Sequence, residues 1–428
     1  MTSAPTASST VPAARLRGRL TLPADKSIAH RAFIIGALSG GPTTVNLGLP
    51  GGDVLSTIGC LRALGVSIVE ESRGRYAIAG RPSRDATVEC GNSGTTMRLL
   101  AGAVAGMPLS VTLDGDASLR GRPMERVASL LRAAGADVTT ADGRAPMTVT
   151  GRARLAATTH HLPVASAQLI GAAALAGLSA KGETRIEAPG PTRDHTERML
   201  AFSGVAIHRD GATTTLTGPA RPRPFELTVP GDPSAASAWL VAAALHPDAE
   251  LTMADVGLNP TRLALLGFLQ RMGVDIRTRV TDVSGPEPIG EISVRGGRPL
   301  RALTIGGDEV ADLIDELPLA AIAMASVDGA SEVHGAGELR VKESDRIAAV
   351  VAGLAAIGAE VTELPDGWRV RRGTPRAARI ATHGDHRIAI AFAVAAISGV
   401  ASAVELDDPG CTAVSYPGFW ADVAAVTA

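Results

Sequence analysis

The sequence predicts an α/β protein of two domains, each built from three similar units around a pseudo-threefold axis. Three observations carry this. Six short polar or Gly/Pro-containing openings each lead into an alanine-rich apolar run, at 22–38, 90–105, 162–178, 229–245, 312–326 and 382–398. Between them lie amphipathic segments that close on glycine before a β-prone run. The chain has 428 residues, 45% of them hydrophobic, which is more than one ordinary domain needs for its core.

Each element follows from its residues. Runs such as R-V-A-S-L-L-R-A-A-G-A-D-V at 126–138 and R-I-A-A-V-V-A-G-L-A-A-I-G-A-E-V at 346–361 space apolar residues by three and four, the stripe of a half-buried helix. The same pattern recurs at 56–68 and 262–276, and the glycine near each end predicts a C-terminal cap. The alanine-rich runs lack a polar face and are therefore expected to be fully buried helices. Only 3% of residues are aromatic, so small side chains must pack the interior closely. An ordinary open α/β sheet is the alternative, but continuous windings rarely return one phased signature six times.

Charge and cysteine usage narrow the functional classes. A formal net charge of −2 argues against nucleic acid or membrane as partner, while local basic patches can still hold small anions. Cys60, Cys90 and Cys411 are scattered, which points to neither a disulfide framework nor a thiolate metal site, and fits a reducing cytoplasm. Residues 1–15 read as a disordered tail, without the charged start and apolar core of a signal peptide.

Of 41 basic residues only three are lysine, and two of these fall in dense polar clusters: Lys26 in K-S-I-A-H-R and Lys342 in R-V-K-E-S-D-R. Codon bias explains the scarcity but not the placement. A lysine ammonium can give up a proton when its surroundings shift it, which an arginine cannot.

Chemistry is expected at the six openings, because a helix N-terminus attracts anions. In the first, Ser27 and Arg31 share a helical face with Lys26 at its mouth. In C-G-N-S-G-T-T-M-R at 90–98, glycines including Gly94 let backbone approach a ligand, although such a loop is more often a turn and lacks the G-K-[ST] of a P-loop. Arg122 in R-G-R-P-M offers a fixed guanidinium fork. Ser166 and Gln168 add uncharged partners, and R-D-H-T-E-R adds Arg193. Asp315 and Glu316 stand at a helix entrance, where a dipole role is the plain alternative. Lys342 and Arg346, four apart, are expected on one helical face beside Glu343. H-G-D-H-R at 383–387 could be read as metal-binding, but no second cluster completes a shell, so we expect no metal and Asp385 orienting His386.

In this order, K-S-I-A-H-R, G-N-S-G-T-T-M-R, R-P-M, S-A-Q, T-R-D-H-T-E, I-D-E, V-K-E-S-D-R and D-H-R resemble the 5-enolpyruvylshikimate-3-phosphate synthase family, the 3-phosphoshikimate 1-carboxyvinyltransferases, from about residue 16 to 425. The resemblance implies a two-domain inside-out α/β barrel of six β-α-β-α-β-β repeats, with 16–22 plus 230–428 as one domain and 23–229 as the other. It implies that Lys26, Ser27, Arg31, Ser166, Gln168, Arg193, Asp315 and Lys342 hold shikimate 3-phosphate. It implies likewise that Lys26, Gly94, Arg122, Gln168, Arg346 and Arg387 hold phosphoenolpyruvate. Asp315, Glu343, Lys26 and Lys342 would be the catalytic set, with no cofactor, in a cytoplasmic monomer.

The chain departs from the common pattern at Ala24, Ala29, Ala167 and Val414, the last standing where many members carry lysine. With D-A-S-L and T-R-D-H-T-E, these departures resemble the class II branch. Gly94, where a glyphosate-tolerant class II pattern would place alanine, implies glyphosate sensitivity. The sister UDP-N-acetylglucosamine enolpyruvyl transferase is disfavoured, because its loop cysteine has no counterpart in D-G-D-A-S-L-R-G-R-P. A non-catalytic anion-binding protein, or an enzyme for another hydroxylated ring, is the reading from a different class.

Overall fold

The computed structural model describes residues 9–427. By internal contacts the chain divides into two units. One comprises the chain up to Pro23, Pro230–Val283 and the chain from Pro288 onward; the other comprises Ala24–Val229 with Ser284–Glu287.

Each alanine-rich run is a buried helix. Lys26–Ser39, Gly94–Ala105 and Ala167–Gly177 lie in the second of these units, and Pro233–Leu245, Leu317–Ala325 and His386–Ile397 in the first. Small residues allow the close packing that the composition predicts. A Cβ at Gly102 would lie 2.3 Å from the carbonyl oxygen of Ala172 on the neighbouring helix, so only glycine fits there.

Around these helices stand small mixed sheets of one repeated design. In the Ala86–Glu89 sheet, that strand pairs parallel with Ser110–Asp114, which pairs antiparallel with Arg144–Thr150, which pairs antiparallel with Asp137–Ala141. Ala145, Met147 and Val149 point inward at every second position, as a one-sided sheet requires. Two sheets take their first strand from far away in sequence: Glu226–Thr228 pairs with Thr43–Asn46, and Leu16–Thr21 with Ala249–Gly257. The outer helices end as expected, with Gly65, Gly135, Gly273 and Gly358 all at positive φ.

Two expectations need correction. The sixth repeat is incomplete: among the described residues, Ala377–Ile380 and Ala403–Leu406 form a two-stranded sheet without the closing hairpin. Of the tail expected over 1–15, residues 1–8 lie outside the described residues, but Thr10 forms an antiparallel bridge to Val404, donating its N–H to that carbonyl at 2.8 Å. The strand edge left open by the missing hairpin recruits this segment, because unpaired edge groups seek partners. Among the described residues no helix is long and apolar enough to cross a membrane.

Candidate active site

In the unit holding Ala24–Val229, the predicted residues gather at three helix N-termini. Lys26 opens the first helix, whose cap Asp25 accepts from the Ile28 N–H at 3.0 Å, and its ammonium lies 2.9 Å from Asp53 Oδ2. Arg31, buried one turn on, donates to Thr196 Oγ1 at 2.7 Å and to the Ser27 carbonyl at 2.9 Å, so Ser27 and Arg31 do share a face. Ser166 caps the third helix, accepting from the Leu169 N–H at 3.4 Å. Arg193 sits in the irregular stretch just before the His195–Phe202 helix.

Between the second and third helices, Arg98 grips Gln168. Its Nη1 donates to Gln168 Oε1 at 2.8 Å and its Nη2 to the Pro123 carbonyl at 3.2 Å, while Gln168 Nε2 donates to Thr95 Oγ1 at 2.9 Å. Buried Arg122 donates to Asn92 Oδ1 and, at 3.2 Å, to Ser118 Oγ. Both guanidinium groups crowd Gly94, where a Cβ would lie 2.5 Å from Arg98 Nη1 and 3.3 Å from Arg122 Nη1. Helix ends and fixed cations together make a surface suited to phosphate and carboxylate.

The other unit assembles a mixed cluster around Asp315. Lys342 Nζ lies 3.6 Å and Arg346 Nη1 3.5 Å from Asp315 Oδ1, and Arg387 Nη2 lies 3.7 Å from Oδ2. Arg387 also donates to the Asp315 carbonyl at 2.6 Å. Neighbouring Glu316 is buried and accepts from Ser234 Oγ at 2.5 Å. Arg346 is only 1% exposed. It donates to Asp385 Oδ2 at 2.8 Å and to Glu343 Oε2 at 2.5 Å, while its Nη1 has no hydrogen-bond partner among the described residues. Burial by itself would lower the Arg346 guanidinium, but Glu343 and Asp385 outweigh it and raise it above the ordinary arginine range. Burial would likewise raise Asp385, and Arg346 reverses this, holding the carboxylate below its usual range.

One sequence expectation fails here, and another is only part of the picture. Lys342 and Arg346 do not share a helical face: the helix begins at Arg346, and Lys342 follows the Gly337–Val341 3₁₀ turn, so the two meet at Asp315 instead. Asp385 lies beside His386, with which it interacts electrostatically, but its hydrogen bonds go chiefly elsewhere. Its oxygens take Arg346, Ser344 Oγ at 3.0 Å and, as a helix cap, the Arg387 N–H at 2.9 Å. Among the described residues no group of three or more His, Cys, Asp or Glu is placed to hold a metal ion. Sequence reasoning also missed Asp53 and the grip of Arg98 on Gln168. The available signal for Asp53 was that it is acidic in the first turn of the Gly52–Ala63 helix.

The six repeated sheets around buried helices define the enolpyruvyl transferase fold. The structure superposes on that of the enolpyruvyl transferase NikO from Streptomyces tendae at a TM-score of 0.75, with 18% identity, covering 98% of this chain and 96% of that one, a likeness of fold. The EPSP synthase structure from Acinetobacter baumannii superposes at 0.85 with 36% identity over 98% of this chain and 97% of that one. The family model for EPSP synthase (3-phosphoshikimate 1-carboxyvinyltransferase) matches residues 11–423. The 3-phosphoshikimate 1-carboxyvinyltransferase of Herpetosiphon aurantiacus is 44% identical over 95% of this chain and 96% of its own length. That of Acidithiobacillus ferrooxidans is 46% identical over 95% of each. The chain belongs to the EPSP synthase family.

Proposed function

We propose that this chain transfers the enolpyruvyl group of phosphoenolpyruvate to the 5-hydroxyl of shikimate 3-phosphate, the reaction of its family in the shikimate pathway to aromatic amino acids. The hydroxyl oxygen adds to C2 while a proton goes to C3, giving a tetrahedral ketal. Phosphate then leaves, C3 returns its proton, and the enol ether remains. The observation that carries the role assignment is the placement of one carboxylate, Asp315, among Lys342, Arg346 and Arg387 at 3.5 to 3.7 Å.

In this reading Asp315 takes the hydroxyl proton, and Glu343 with Lys26 or Lys342 handles the proton at C3. Lys26, Ser27, Arg31, Ser166, Gln168, Arg193, Asp315 and Lys342 bind shikimate 3-phosphate. Lys26, Gly94, Arg122, Gln168, Arg346 and Arg387 bind phosphoenolpyruvate. Two substrates that each carry a carboxylate and a phosphate call for many cations, each phosphate alone carrying about −1.5 to −2 near neutrality. Arg346 Nη1, buried, 3.5 Å from Asp315 Oδ1 and without a hydrogen-bond partner among the described residues, is the donor its carboxylate cage leaves over.

The finer reading places the chain in the class II branch, on D-A-S-L at 116–119, T-R-D-H-T-E at 192–197 and Val414. It also takes the chain as cytoplasmic, since Cys60, Cys90 and Cys411 are free and buried, and as a monomer, which sedimentation tests. The deciding experiment is phosphate release from phosphoenolpyruvate with a panel of hydroxylated ring acceptors, run after exhaustive chelation. Release with shikimate 3-phosphate, unchanged by chelation, is expected. Release only with another ring would overturn the acceptor, and activity lost to the chelator and restored by a divalent ion would overturn the cofactor-free reading.

A further inference from the structure

The helices Lys26–Ser39 and Gly52–Ala63 meet along two rungs. On the first, Lys26 Nζ lies 2.9 Å from Asp53 Oδ2. Four residues further along each helix, His30 Nδ1 lies 2.6 Å from Thr57 Oγ1. The second rung continues to a third helix: Thr57 Oγ1 is 2.7 Å from Thr96 Oγ1, which is 2.7 Å from Ser93 Oγ and 3.4 Å from the carbonyl of Asp53 itself.

His30, Thr57, Thr96 and Ser93 are all fully buried. Helix packing alone does not need them, since apolar residues of the same size would fill the space without the cost of burying polar groups. His30 Nε2 in fact meets no hydrogen-bond partner among the described residues. The chain of hydroxyls therefore calls for another reason. The helix that carries Asp53 supplies one: its cap is Gly51, which has no side chain to secure the first turn. The hydroxyl of Thr96 on the Asp53 carbonyl, and the Thr57 rung one turn on, do not replace that cap but tie this end of the helix to its neighbours.

We infer that His30, Thr57 and Thr96 are positioning residues that set where Asp53 holds the Lys26 ammonium. The inference rests on the role proposed above for Lys26. The hydrogen bonds can run in one direction, from His30 Nδ1–H to Thr57, to Thr96 and on to Ser93 or the Asp53 carbonyl. So arranged, they limit sliding and rotation of the Asp53 helix against the Lys26 helix.

Thr57→Val keeps the shape and removes both hydrogen bonds, and Thr57→Ser keeps the hydroxyl; each is measured in the wild-type and Asp53→Asn backgrounds. We expect Thr57→Val to lower kcat about tenfold and Thr57→Ser to restore most of it. In the Asp53→Asn background, Thr57→Val should add less than about twofold, the non-additivity of residues acting through one another. A folded Thr57→Val enzyme with normal turnover, or an equal loss in both backgrounds, would overturn the inference. Thr96→Val, which removes the next link, carries the same expectation should Thr57→Val fail to fold. A Lys26→Met control separates the two readings: normal turnover there removes the role of Lys26, whereas its loss alongside an unaffected Thr57→Val removes the relay alone.

Discussion

Arg346 and Asp385 form an ion pair out of contact with solvent, Nε to Oδ2 at 2.8 Å, with side chains 1% and 0% exposed. Removing Asp385 leaves Arg346 buried with only Glu343 and Asp315 to balance it, which costs up to about 3–5 kcal/mol. Asp385→Asn is the clean test, because asparagine can still cap the His386–Ile397 helix while losing the charge. We expect a loss of stability on that scale in denaturant unfolding, together with loss of activity. The folded-state shift of Asp385 is downward, so its contribution is present above the ordinary carboxylate range, near about pH 3.9, and is lost as pH falls through its lowered value.

His30 gives a second signature in pH. Burial pushes it down to about 3, with Asp53 opposing and Lys26 and Arg31 assisting. Between about pH 6.5 and 3 the unfolded chain therefore binds a proton that the folded chain refuses, and stability falls as pH falls through that window. The slope from one such group is at most about 1.4 kcal/mol per pH unit. Urea unfolding across this range should show a shallower acid slope for His30→Asn than for the parent; equal slopes would count against a buried neutral His30.

Lys26→Arg and Lys342→Arg keep the charge but lose the compact, titratable ammonium. Each is expected to lower turnover at least about tenfold in steady-state kinetics, the scale of a lost proton-transfer or positioning group. Near-normal turnover in both would return the sparing use of lysine to codon bias.

Gly94 bears on glyphosate. The sequence associates alanine at this position with tolerance, as an added methyl meeting the inhibitor would explain, but in the structure the first neighbour of that methyl is Arg98, 2.5 Å from the Cβ position and held by Gln168 and Pro123. Gly94→Ala must therefore displace a guanidinium before it meets any ligand. We expect the parent enzyme to be glyphosate-sensitive, and Gly94→Ala to raise the inhibition constant more than the Michaelis constant for phosphoenolpyruvate, by about 1–3 kcal/mol of discrimination. Because Arg98 moves, the Michaelis constant should also rise. A parent as tolerant as its variant would show that Gly94 does not control access.

Sequence by itself determined the six buried helices, the glycine-capped outer helices and the openings to which the proposed chemistry is assigned. These are local: an apolar run, a spacing of three and four, or a glycine at positive φ is written within a dozen residues, because helical hydrogen bonds span only four. Tertiary structure alone decided who faces whom. Lys26 meets Asp53, Arg98 holds Gln168, and Asp385 accepts from Arg346, across 27, 70 and 39 positions of chain. It also placed Lys342 outside the helix that begins at Arg346, and filled the open edge of the last sheet with Thr10. Such pairings depend on how helices pack and how strands register. No local pattern encodes that, because the energy of a buried charge is set by whatever the fold brings within a few ångströms of it.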